Sequence, residues 1–102
     1  MSQLESLKNE IVKVSNLYSQ NFKIERDKDW YILKLQEEMG ELSKAYINYT
    51  GRGKNKDGNF KKELIEELAD VFAHLILLCD SLGVDIDEAI QQKWLRHLAN
   101  KD

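Results

Sequence analysis

The sequence contains no proline, one cysteine and only five glycines in 102 residues. Without proline, no helix interior is interrupted by a missing N–H donor. With Cys79 alone, an internal disulfide is excluded, and stability must come from packing. Basic charge is also scarce, since 15 Lys and Arg face 18 Asp and Glu, giving a net charge of -3 and a pI near 5.4. Duplex nucleic acid demands the opposite balance, so no nucleic acid polymer is expected as a partner. No apolar run approaches the roughly 20 residues that cross a bilayer, and no membrane partner is expected. The opening residues MSQLESLKNE lack the basic segment and apolar block of a secretory signal, which leads to the expectation of a cytoplasmic protein.

What is present is helix-forming material. With 42% hydrophobic and 32% charged residues, the chain reads as one soluble globular domain covering 1–102. Leu4, Leu7, Ile11, Val14 and Tyr18 recur every three or four positions and predict a first helix over roughly residues 2 to 20. Asp27 and Asp29 are candidate N-caps for a second helix running from Trp30 to about Thr50. GRGKNKDGN has three glycines and no large apolar residue, and reads as a loop. A third helix is predicted from about Phe60 to Gly83, where glycine supplies the left-handed residue that ends it. Asp85 with Glu88 resembles a capping box and opens a fourth helix over about 86 to 99, with Ile86, Ile90, Trp94 and Leu98 along one flank. The expected fold is all-α, an antiparallel helical bundle of about four helices. A chain this short buries a limited core, so the bundle is expected to be completed by oligomerisation, as a homodimer or homotetramer.

Against this background two acidic clusters stand out. LQEEMGELSK carries Glu37, Glu38 and Glu41, and KKELIEELADVFAHL carries Glu63, Glu66, Glu67 and Asp70. At about 100° per residue the first three share one helix face; Glu63, Glu67, Asp70 and His74 fall within an arc of about 60°, while Leu64, Leu68, Val71, Phe72 and Leu75 turn toward the core. If the two helices are antiparallel neighbours, Glu41 and Asp70 both lie about 15 Å from the loop end of the hairpin. Facing carboxylates repel, and partial burial calls for a compensating cation. Ligation by oxygen alone favours Mg²⁺ or Mn²⁺ over zinc, and Mg²⁺ held by a few carboxylates shares its remaining positions with waters and substrate phosphates. Phosphoryl-transfer chemistry is therefore expected. A single acidic helix face is ordinarily just solvated surface, and a non-catalytic helical module with a structural metal site is the competing reading. A di-iron carboxylate bundle needs Glu-x-x-His on two helices, which neither run provides.

These residues carry a family resemblance. LQEEMGEL and EELADVFAHL resemble the two halves of the E-x-x-E and E-x-x-D motif of the MazG-type all-α nucleoside triphosphate pyrophosphohydrolases, and LGVDIDEAIQQKWL is similar to the segment that follows in that family. The resemblance covers roughly residues 30 to 98. It implies a helical bundle that binds Mg²⁺, cleaves a nucleotide between its α- and β-phosphates, and assembles as a dimer or larger. It makes Glu38, Glu41, Glu67 and Asp70 the metal ligands. Glu37 becomes a further ligand or the base that orients the attacking water, so that Glu37, Glu38 and Glu41 form the catalytic set. Lys93 faces phosphate, with Arg96 close by in sequence. Of the loop cations, Lys54 is a candidate to close over phosphates, and Trp30 is a candidate to stack on the nucleobase.

Overall fold

The computed structural model describes residues 2–53 and 58–99, and all regular structure among them is helical. Helix α1 spans Gln3–Phe22, α2 Trp30–Tyr49 and α3 Phe60–Leu82; α4 (Ile86–Ile90), a π-helical turn (Gln91–Leu95) and α5 (Arg96–Ala99) follow without a break. The all-α class is as expected, and the ends of the first three helices lie within about two residues of the predicted ones. The last helix differs in its middle, where Gln91–Leu95 is wound as a π-turn. Side-chain bonds from Gln91 to Asp87 and from Gln92 to Glu88 tie this turn to the α-helical one before it.

Local chemistry accounts for the helix ends. Ser2 accepts from the Glu5 amide at 3.1 Å and caps α1, while Asn59 accepts from Lys62 N at 3.1 Å and caps α3. Of the two aspartates proposed to start α2, Asp27 does the capping, accepting from Asp29 N at 3.0 Å and Trp30 N at 2.9 Å. Asp29 makes no side-chain cap bond. Gly83 adopts φ 69° as predicted, and Val84 N closes back onto Cys79 O at 2.9 Å, the hydrogen-bond pattern of a Schellman stop. Asp85 caps the following turn through Glu88 N at 3.1 Å.

The chain forms two compact units, one from Met1–Glu25 with Ile76–Asp102 and the other from Arg26–Leu75. In the first, Ile76, Leu77 and Cys79 are buried, and Lys8 pairs with Asp80 at 4.0 Å. In the second, α2 and the first part of α3 are joined by the loop that begins at Thr50, and Ala45 is buried. Leu64 and Val71 are half-buried there, but Leu68, Phe72 and Leu75, expected in the core, are exposed. The apolar stripe of α3 is wider than one neighbouring helix can cover, because a helix pair buries only the facing strip of each partner.

Candidate metal centre

The centre lies wholly within the Arg26–Leu75 unit. Glu38 on α2 and Glu67 and Asp70 on α3 each offer one carboxylate oxygen, and these atoms all lie within 4.8 Å of one another. The three-residue step from Glu67 to Asp70 puts both on one face of α3, aimed at the same point. The surroundings differ for each group: Glu38 is 13% exposed, Glu67 is half-buried and Asp70 is open to solvent.

Glu67 bears the electrostatic cost of this arrangement. Its Oε2 is buried and has no hydrogen-bond partner. Burial pushes its carboxyl above the usual range, and the negative charges of Asp70, Glu38, Glu41 and Glu66 push it further. His74, one turn beyond Asp70, is held below the ordinary imidazole range, mainly by burial, with Lys34 adding to that and Glu38, Asp70 and Glu37 opposing it. Burial thus favours its neutral form. Its Nδ1 is also buried without a partner, and its ring meets Trp30 edge-on at 6.1 Å between centroids.

A divalent cation fits these residues. The donor set is all oxygen, the charge is concentrated, and an orphaned buried carboxylate oxygen is the group that a cation would satisfy. Bonds of about 2.1 Å to Mg²⁺ place opposite ligands about 4.2 Å and adjacent ones about 3.0 Å apart, so the three carboxylates would draw together around the ion.

The other expected site residues fall as follows. Glu41 is outside the compact set of three, yet close enough to raise the Glu67 carboxyl. Glu37 is 63% exposed and lies 3.4 Å from Lys34 Nζ. Trp30 is half-buried at the start of α2, edge-on to Tyr31 as well as His74. Lys93 and Arg96 are exposed, on the π-turn and at the head of α5, in the other unit. Lys54 lies outside the described residues. Sequence reasoning missed Lys34, whose Nζ also reaches Glu38 Oε1 at 3.6 Å. The signal for it lies one residue before the acidic stretch LQEEMGELSK, where Lys34 stands at i, i+3 and i, i+4 from two glutamates.

The chain matches the model of the MazG nucleotide pyrophosphohydrolase domain over residues 26–96. It belongs to the MazG family. No curated protein and no solved structure gives a significant match. The MazG match runs through both compact units and contains both acidic motifs and Lys93, while α1 precedes it. The MazG family generally uses a divalent metal, and the Glu38, Glu67 and Asp70 cluster is able to hold one.

A raised Glu67 carboxyl has a consequence for stability. Above the unfolded-state range the native state holds this proton more tightly than the unfolded chain, so metal-free stability falls as pH rises through the native pKa. Glu67→Gln removes the effect. The metal-free variant is expected to gain melting temperature over wild type by more at about pH 8, where wild-type Glu67 must carry its charge in the native state, than at about pH 4.5. Melting curves at the two pH values, recorded in EDTA, check this, and an equal difference at both would refute it.

Proposed function

We propose that this MazG-family protein hydrolyses a nucleoside or deoxynucleoside triphosphate to the monophosphate and pyrophosphate with Mg²⁺, or Mn²⁺ in its place, as a house-cleaning enzyme of the nucleotide pool. The observation that carries this reading is the convergence of Glu38, Glu67 and Asp70 around the unpartnered Oε2 of Glu67. In this reading residues 1–102 act as one domain, and Cys79, alone and buried, suits the reducing cytoplasm.

Glu38, Glu67 and Asp70 would hold the ion, with Glu41 as the fourth carboxylate beside them. The bound ion would offset phosphate charge and acidify a coordinated water. Glu37, exposed and next to Glu38 in sequence, would orient the attacking water and accept its proton. Trp30 would stack on the base, and His74, with one ring nitrogen unpartnered, would hydrogen-bond beside it. Lys93, Arg96 and Lys54 supply the cations that a triphosphate requires, and the active form is a homodimer or homotetramer.

The test is a panel of NTPs and dNTPs incubated with the protein and Mg²⁺, with products read by phosphorus NMR. Monophosphate and pyrophosphate are expected, with no turnover in EDTA. Orthophosphate appearing first would refute the position of cleavage. Metal binding without any turnover would favour the non-catalytic helical module.

A further inference from the structure

The acidic centre carries a cation of its own. Lys34, one turn before Glu38 on α2, places Nζ 3.4 Å from Glu37 Oε1 and 3.6 Å from Glu38 Oε1. Glu38 is also one of the three carboxylates that gather within 4.8 Å. The Lys34 side chain is 30% exposed and that of Glu38 13%, so this pair is screened less by salt than a fully exposed one. The neutralisation is incomplete, since Glu67 Oε2 remains without a partner. An ammonium brings one charge and three donors on a flexible stem, whereas a divalent ion brings twice the charge and gathers several carboxylates at once. The two cations draw on the same Glu38 carboxylate and repel each other.

We propose that Lys34 is the displaceable counter-ion of this centre: it sits on Glu38 while no divalent ion is bound, competes with that ion for the carboxylate, and once displaced pairs with a phosphate oxygen of the substrate. This rests on the reading of the cluster as a divalent-metal site. The stem is fixed to α2 one turn from Glu38, so an ammonium pushed off the carboxylate stays beside the centre. The metal-free protein thereby avoids the full repulsion of its carboxylates, and arrival of the metal turns a charge that offset those carboxylates into one that favours an anionic substrate.

Calorimetric titration with Mn²⁺, followed by inorganic pyrophosphate at saturating Mn²⁺, tests this on the wild type, Lys34→Met, Lys34→Arg and, as a control on the same helix, Lys44→Met. Methionine keeps the length and helix propensity of lysine, so the fold is retained. Lys34→Met is expected to bind Mn²⁺ about threefold more tightly, the scale set by a partly exposed ion pair. Its metal-free form should melt below wild type, and it should bind pyrophosphate about tenfold more weakly, as expected for the loss of one charge-assisted bond. Lys34→Arg should stay near wild type on each count, and Lys44→Met should match it. An Mn²⁺ affinity in Lys34→Met that equals or falls below that of a metal-binding wild type overturns the counter-ion role alone, as does unchanged pyrophosphate affinity. A wild type that takes up no Mn²⁺ overturns this role and the metal-site reading together.

Discussion

Asp70→Asn is expected to lower turnover by about a hundredfold or more while leaving the metal-free protein at least as stable as wild type. Both effects have one origin. Asp70 contributes an oxygen to the cluster of Glu38, Glu67 and Asp70, and its charge is the largest of those that push the Glu67 carboxyl up. Removing that charge relieves repulsion in the absence of metal and removes a ligand in its presence, so stability and function move in opposite directions. Added Mg²⁺ should raise the melting temperature of the variant much less than that of wild type. Glu41→Gln should behave in the same sense with a smaller change, because Glu41 stands outside the compact set of three. Glu10→Gln is the control: Glu10 lies on α1 in the other unit, paired with Lys13 at 3.9 Å and exposed, and its loss should alter none of these quantities. Steady-state kinetics with melting curves in Mg²⁺ and in EDTA measure the whole pattern.

The protein is expected to sediment at no less than twice its chain mass of 11.9 kDa. Among the described residues only Ala45, Ile76, Leu77 and Cys79 are buried, while Leu17, Phe22, Leu33, Phe72, Trp94 and Leu98 are all exposed. Trp94 at 65% and Leu98 at 67% lie four residues apart on one helix flank, the spacing of a packing stripe. Burying a large apolar side chain contributes about 1.5–3 kcal/mol, so covering even four of these offsets a large part of the entropy lost on association. A second copy is the partner that any chain has at hand. Analytical ultracentrifugation gives the mass, and melting on dilution should fall with concentration, because stability that depends on assembly follows mass action. A monomer at micromolar concentration with full turnover would remove assembly from the account.

The parts of this molecule that were legible in the sequence are those set by near neighbours along the chain. The three- and four-residue recurrence of Leu4, Leu7, Ile11, Val14 and Tyr18 marks α1, and Gly83, Asp85 and Asp27 punctuate the helices through bonds spanning five residues or fewer. The two acidic faces were legible for the same reason. Which carboxylates meet depends on how α2 and α3 sit against each other. The ten-residue count from the loop makes the two acidic clusters level, and Glu38, Glu67 and Asp70 do gather, with Glu41 close enough to act on Glu67; which three meet most closely is set by less than one turn of α2. The exposure of Leu68, Phe72 and Leu75 was hidden because apolar periodicity marks a surface to be covered without saying what covers it. The π-turn at Gln91–Leu95 has no composition cue, since QQKWL suits an α-helix equally well.

The central claim is that carboxylates from α2 and α3 converge to bind a divalent cation. Titrating Mn²⁺ into metal-free protein and counting free ion by electron paramagnetic resonance tests it without reference to any substrate. Wild type is expected to take up Mn²⁺ saturably in proportion to protein, with Mg²⁺ displacing it, and Glu67→Gln and Asp70→Asn are each expected to weaken uptake by about tenfold or more. Mn²⁺ that stays free in the presence of wild-type protein, or that binds both variants as tightly as wild type, would contradict the claim.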